Sequence, residues 1–296
     1  MISITEDLMK GIAIEMVKRS CTQLPRDVMT LLRERWTKES NSAARRLLEV
    51  MLKNAELAAV ENKPICQSPG YPVLYVTLGS DFILCANIQK IFAKAIVDAT
   101  KKGYLRPSIV HPFSRENSGD NSGLGIPDVE IESNPDLDYL ELTLSFKGCG
   151  SELANRIQVL TPAQIGEKGR GIKRFILEAT ANAGGIPCPP VAVGIGIGGQ
   201  MHYAAKLSRK VVGVREWTDK NPDPEVASLE NELLQQMNSL GIGPAGIGGD
   251  TTALAVKVGM VSTHTAICPI AVNFHCWVGR KCKIRVSLDK SFTVIS

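Results

Sequence analysis

The chain has 296 residues, enough for one large domain or two smaller ones. Hydrophobic residues make up 44% and charged residues 22%, which supplies a sizeable core and excludes a disordered chain. Lys and Arg total 34 against 30 Asp and Glu, and a formal charge of +4 gives no global case for nucleic-acid or membrane binding.

Residues 5–62 read as helical. Leu8, Ile12, Met16 and Val17 recur at helical spacing, then Val28, Leu31 and Leu32, then Leu47, Leu48, Met51 and Leu52. Pro25 suits the opening of the second helix, and Ser40, Asn41 or Ser42 the cap of the third. The character changes at Pro64. Residues 73–78 read as a strand and 83–99 as a helix. Residues 103–127 form a long loop rich in Gly, Pro, Ser and Asn, with a local doublet, Asn117-Ser118-Gly119 and Asn121-Ser122-Gly123. Residues 129–132 and 139–146 alternate as half-buried strands do. Helix signals return at 166–183, 199–210 and 225–239. Residues 191–197 are apolar and β-branched, hence a buried strand; 256–261, 267–273 and 283–288 are strand-like too. The chain reads as α/β of the mixed α+β kind. A helical N-terminal part, residues 1–62, packs on a mixed-sheet core, residues 63–296, as one continuous domain.

No apolar run reaches a membrane span, since the best, 191–199, is short and broken by glycine. The start, Met1-Ile2-Ser3-Ile4-Thr5, lacks the basic residues and apolar stretch of a secretory signal. A cytoplasmic, reducing location is therefore expected, and the eight cysteines are not a disulfide framework. None sits in a CxxC pair, which disfavours a zinc ribbon or finger.

Gly194-Ile195-Gly196-Ile197-Gly198-Gly199 satisfies GxGxxG between a strand and a helix, with Glu216 further on. On spacing alone this is a passable dinucleotide fingerprint. Against it stand the preceding Cys188-Pro189-Pro190 and a strand nearly half glycine; the glycines then serve close backbone approach instead. The second loop, 241–250, has two readings as well, an anion nest or plain tight turns.

Three cysteines have unusual neighbours. Cys66 sits in Pro64-Ile65-Cys66-Gln67-Ser68-Pro69-Gly70, Cys188 in Gly185-Ile186-Pro187-Cys188-Pro189-Pro190, and Cys276 in Phe274-His275-Cys276-Trp277. Further segments are Leu105-Arg106-Pro107 followed by Arg115-Glu116-Asn117-Ser118-Gly119-Asp120-Asn121; Lys147-Gly148-Cys149-Gly150-Ser151-Glu152; Leu240-Gly241-Ile242-Gly243-Pro244; and His264-Thr265-Ala266-Ile267-Cys268-Pro269. Together these resemble the α subunit, or N-terminal half, of the class I iron–sulfur hydro-lyases: fumarate hydratases and L(+)-tartrate dehydratases. The resemblance covers nearly the whole chain, and its glycine segment binds no dinucleotide.

The resemblance implies a [4Fe–4S] cluster held by Cys66, Cys188 and Cys276. Cys21, Cys85, Cys149, Cys268 and Cys282 are then not ligands. Three thiolates leave one iron open to act as a Lewis acid, as a catalytic zinc keeps a free position. It also implies substrate contacts from Gln67, from Arg106 and from the turn that holds Gly148, Cys149 and Gly150. His264 falls on a family motif histidine, a tentative catalytic residue, with a satisfied core histidine as the other reading. Arg280, after the third ligand, tunes cluster charge or pairs with an acidic residue. The implied reaction is reversible hydration of fumarate to malate, with L(+)-tartrate dehydration as the alternative. The main base is expected on a separate β subunit, in a heterotetramer, because the stretch from Cys282 to Ser296 is too short to supply it.

The chain departs from the family in two places. Ser68 and Pro69 stand where Asp and Thr are usual, and Cys149 where Gly or Ala is usual. These departures keep open a further reading, a cluster-binding paralogue without turnover.

Overall fold

The computed structural model describes residues 2–296. In chain order the elements are β1 (Ile2–Ile4), α1 (Glu6–Thr22), α2 (Arg26–Lys38), α3 (Ser42–Glu61), β2 (Tyr71–Leu78), β3 (Phe82–Leu84), α4 (Ile88–Lys101), β4 (Asp128–Ser133) and β5 (Leu140–Lys147). There follow α5 (Cys149–Leu153), β6 (Arg156–Leu160), α6 (Pro162–Ile165), α7 (Arg170–Ala183), β7 (Val191–Ile197), α8 (Met201–Val214), α9 (Pro224–Ser239), β8 (Ala253–Met260), β9 (Cys268–His275), β10 (Lys281–Val286) and β11 (Phe292–Val294). Mixed α/β architecture is thus as expected. Among the described residues no helix is long and apolar enough to cross a membrane.

These elements form two compact units, whose limits do not follow a division at residue 62. The first comprises Met1–Pro25, Asn54–Gly148 and Arg280–Ser296. Its five-stranded sheet has the order β11-β10-β5-β2-β4, with β2 and β4 parallel and the other pairs antiparallel. Period-two alternation decides its faces. Leu140, Leu142, Leu144 and Phe146 of β5 join Cys282, Ile284 and Val286 of β10 in a core completed by Met9, Ile12, Met16, Phe92 and Ile96. Each such side chain, fully buried, contributes about 1.5–3 kcal/mol. Thr143, Ser145 and Lys147 take the opposite face, in register with Lys283, Lys281 and Tyr71 respectively. The Thr5 side chain caps α1 by accepting from the Leu8 N–H at 3.5 Å.

The second unit comprises Arg26–Lys53 and Cys149–Gly279. Its sheet has the order β6-β9-β7-β8; β7 and β8 are parallel, and β9 is antiparallel to both its neighbours. The helix α8 lies against β7, and α9 against β8. Its core gathers Ile176, Val193, Ile195, Leu233, Met237, Ile270 and Phe274. Asn41 caps α3, its Oδ1 accepting from the N–H groups of Ala43 and Ala44 at 3.0 and 3.1 Å.

The GxGxxG glycines work as spacers between helix and strand. A Cβ on Gly194 would stand 2.0 Å from the Ser208 carbonyl oxygen, and one on Gly196 2.1 Å from that of Ala204. Only bare glycine lets α8 lie this close to β7. Gly198 and Gly199 have φ of 94° and 66°, the left-handed region that glycine enters without strain. The segment therefore serves helix–strand packing.

Several boundaries differ from the sequence reading, and two of them have a clear origin. The helix expected over 83–99 starts at Ile88, because Phe82, Ile83 and Leu84 pair with β1 and the Asn87 side chain caps α4 through the Lys90 N–H at 3.0 Å. The helix expected over 199–210 runs on to Val214 as α8. The obstruction at Gly196 is backbone, so no rotamer relieves it. Gly196→Ala should lose about 1–3 kcal/mol of stability in urea unfolding. A variant as stable as the wild type would contradict the packing role.

Candidate functional site

The predicted site residues are divided between the two units. Cys66, Gln67, Arg106 and Gly148 belong to the first; Cys149, Gly150, Cys188, His264 and Cys276 belong to the second.

In the first unit, Cys66 follows Ile65, whose N–H donates to the Cys21 carbonyl at 3.0 Å and whose carbonyl accepts from Asn54 Nδ2 at 2.9 Å. The loop is thus tied on both sides just before the cysteine. The half-buried Cys66 sulfur accepts from the Ser68 N–H at 3.5 Å. Gly70, at φ 86°, ends the loop; a Cβ there would stand 1.8 Å from the Lys147 carbonyl oxygen. Gly148 is buried, and its hypothetical Cβ would lie 3.6 Å from the Ser68 carbonyl oxygen. The Cys66 loop therefore rests backbone to backbone on the turn at 147–148. Gln67, beside the cysteine, is exposed.

Arg106 is exposed on the long loop. What holds it is Asn121, 4% exposed and at φ 62°. Asn121 Oδ1 accepts from the N–H groups of Ser108 and Ile109 at 2.7 and 3.2 Å. Its Nδ2 donates to Thr100 Oγ1 at 2.8 Å and to the Arg106 carbonyl at 3.1 Å. The Asn/Ser/Gly doublet carried this signal in the sequence as a repeat with no assigned role. A cleft of about 770 Å³ opens on the same loop, bordered by Tyr71, His111, Asn117 and Leu124. None of the predicted site residues lines it.

In the second unit, Gly150 and Ser151 begin α5 against the Cys188 loop. A Cβ on Gly150 would stand 2.2 Å from the Ile186 carbonyl oxygen, and Ser151 Oγ donates to the Pro187 carbonyl at 3.4 Å. Cys188 is exposed and holds φ at 57°, a conformation that non-glycine residues adopt where surrounding structure enforces it. The enforcement is visible. Cys188 N–H donates to the Gly185 carbonyl at 3.1 Å, and its carbonyl accepts from the Trp277 N–H at 3.4 Å. That second bond joins the Cys188 and Cys276 loops. Cys276 is 8% exposed, and its carbonyl accepts from the Gly279 N–H at 3.0 Å.

The glycine loop at 241–250 buttresses Cys188. The Ala245 N–H donates to the Pro189 carbonyl at 2.8 Å, and a Cβ on Gly246 would press on Gly185 Cα at 2.8 Å. The N–H groups of Gly243, Gly246, Ile247 and Gly248 are all bonded within the loop or to Thr252. The tight-turn reading accounts for them. His264 is exposed between β8 and β9, with Nδ1 accepting from the Ala266 N–H at 3.2 Å, so the core-histidine reading does not hold.

The eight thiols separate by environment. Cys21 and Cys282 lie in the first unit's core, where burial pushes both up to about 12. They are neutral at physiological pH. Cys85, Cys149 and Cys188 are exposed and Cys66 half-buried. Among the described residues no group of three or more His, Cys, Asp or Glu side chains lies close enough to hold a single metal ion. Ligands of a cluster each bind a different iron and stand farther apart. The donor chemistry fits a cluster: each of the three cysteines sits on a constrained loop, Cys188 exposed, Cys66 half-buried and Cys276 buried, and at Cys66 a backbone N–H points at the sulfur.

Two outcomes follow from this geometry. At pH 8, alkylation of the apo-chain should label Cys85, Cys149 and Cys188 and spare Cys21 and Cys282 until unfolding, by peptide mass mapping. Early labelling of either core thiol would contradict their placement. Asn121→Ala removes the partner of two N–H groups and the tie to Arg106, and should lose about 1–3 kcal/mol in urea unfolding.

Comparison with known proteins agrees with the motifs. The sequence profile described as fumarate hydratase (Fumerase) matches residues 11–285. The chain is 39% identical over 282 residues to the putative L(+)-tartrate dehydratase subunit alpha of Methanocaldococcus jannaschii, covering 94% of this chain and 97% of that protein. It is 34% identical over 275 residues to the L(+)-tartrate dehydratase subunit alpha of Escherichia coli, covering 93% and 89%. A match of this extent, on a chain whose constrained loops carry the motif cysteines, shows that the chain belongs to the fumarate hydratase (Fumerase) family.

Proposed function

We propose that the chain is the α subunit of a hydro-lyase that removes water from, or adds it to, a four-carbon dicarboxylate. Family membership supports the reaction class. The carrying structural observation is the stretch 147–151. Its first two residues meet the Cys66 loop, and Gly150 and Ser151 meet the Cys188 loop. Within its own unit, the turn at 147–148 seated on the Cys66 loop suits the presentation of backbone N–H groups to a substrate carboxylate.

Cys66, Cys188 and Cys276 are the proposed ligands. When bound, the [4Fe–4S] cluster supplies an open iron as Lewis acid for the departing or attacking hydroxyl. The chain's own residues deal with the carboxylates. The Arg106 guanidinium is exposed on a loop that Asn121 pins, and its planar fork suits a bidentate grip. The Gln67 amide, exposed one residue after Cys66, suits a hydrogen bond to the same dianion. The N–H groups of Cys149 and Gly150 open α5, where an intrahelical partner is lacking. His264 remains a candidate proton carrier on its exposed loop.

The two relatives carry "subunit alpha" in their names, which supports a β partner that brings the main base. Their names also move L(+)-tartrate ahead of fumarate as the first substrate to assay. The test is anaerobic turnover of the reconstituted chain with its β subunit on L(+)-tartrate, malate and fumarate. Oxaloacetate from tartrate, or interconversion of malate and fumarate, is expected. Arg106→Met should lower kcat/KM about 10–100-fold, the loss of a charge-assisted bidentate contact of about 1.5–3 kcal/mol. Full iron content without turnover on any of these acids would favour the non-catalytic paralogue.

A further inference from the structure

Arg280 is the largest side chain that the structure buries completely, at 1% exposure. Its carbonyl accepts from the Phe146 N–H at 3.0 Å, which fixes it just before β10. Its guanidinium makes one hydrogen bond, Nη2 to the Cys66 carbonyl at 3.4 Å, beyond the usual N–H···O range. Among the described residues it forms no ion pair. The acidic partner that the sequence left open is therefore absent from its surroundings.

Other shielded cations in this chain are treated differently. Lys257 Nζ lies 2.7 Å from Asp219 Oδ1, and Arg215 is 2.6 Å from Glu230 and 2.7 Å from Asp219. One ionisable neighbour of Arg280, Cys21, does not supply a negative charge, since burial holds its thiol neutral despite the adjacent cation. A guanidinium cannot shed its proton to escape burial. An unpaired buried charge is strongly unfavourable. Such a residue makes physical sense beside an anion that arrives after folding.

We propose that Arg280 is the built-in counter-charge for an anionic iron–sulfur cluster at Cys66, and a positioning residue for the loop that holds it. The proposal rests on the cluster reading above. A dicationic [4Fe–4S] core with three thiolates carries a net charge of about −1, and one buried guanidinium balances it. The bond to the Cys66 carbonyl places the cation on the backbone of the residue whose sulfur would bind iron. Reduction adds a further negative charge to the cluster, so the cation favours the reduced state.

The experiment compares the full chain with Arg280→Lys and Arg280→Met, each as apo-chain and after anaerobic reconstitution with ferrous iron and sulfide. Urea midpoints, bound iron and sulfide, and the one-electron midpoint potential are measured. Arg280→Met should leave the apo-chain at least as stable as wild type, because it removes an unpaired charge of similar bulk. Its cluster should either fail to be retained or show a reduction constant about tenfold lower, equivalent to ~59 mV. Arg280→Lys should keep wild-type iron content and a potential close to wild type. An Arg280→Met chain that is destabilised as apo-protein yet holds a cluster of unchanged potential would overturn the proposal and leave Arg280 a carbonyl cap. An Arg280→Lys cluster with the same potential shift as Arg280→Met would overturn it too. Wild type that takes up no iron would overturn the cluster reading itself, a result separable from the others.

Discussion

Backbone pressed directly on backbone is the constraint from which the candidate site follows. At Gly70 the Cys66 loop meets the Lys147 carbonyl, with less room than one methyl group requires. At Gly150 the start of α5 meets the Ile186 carbonyl ahead of Cys188 in the same way. Both obstructing atoms are carbonyl oxygens, which no rotamer moves. Any side chain at either position displaces a cysteine-bearing loop. The same device recurs where α8 lies on β7 at Gly194 and Gly196, and where the loop at 241–250 holds Gly185 through Gly246. Loops fixed in this way present thiols at set positions without disulfides or long side-chain networks.

That rigidity has an electrostatic counterpart. The first unit's core turns Cys21 and Cys282 into neutral, inert thiols by desolvation. Cys66 sits in the same unit with a backbone N–H on its sulfur and a buried guanidinium on its carbonyl. Cys188 is held at positive φ by bonds on both sides of its peptide unit. Position and burial thus separate the loop cysteines from the neutral core thiols, although the side chains are identical.

Much of the fold was legible in the residues. Alternating runs gave β4, β5 and β10, an apolar β-branched run gave β7, and helical spacing gave α1, α2 and α3, with Asn41 among the candidate caps of the third. The short elements were not legible. Strands of three to five residues such as β1, β3, β6 and β11 exist only because a distant partner pairs with them. The motif cysteines were legible through family resemblance, whereas nothing local marks residues so far apart in sequence as a set. The GxGxxG spacing admitted a nucleotide because it records where glycines stand, not what lies against them. Asn121 was visible only as part of a repeat; its three hydrogen bonds to the Arg106 loop and one to Thr100 of α4 are long-range facts. Arg280 was read as a charge with two candidate uses, and only packing shows which partner is missing.

The central claim is that Cys66, Cys188 and Cys276 together hold one four-iron cluster, and no other cysteine does. Iron and acid-labile sulfide per chain after anaerobic reconstitution test it most directly, on wild type and on single Cys→Ser variants. About four of each are expected in wild type and in Cys149→Ser, with loss in Cys66→Ser, Cys188→Ser and Cys276→Ser. Full iron retention in any of those three, or loss in Cys149→Ser alone, would contradict the account.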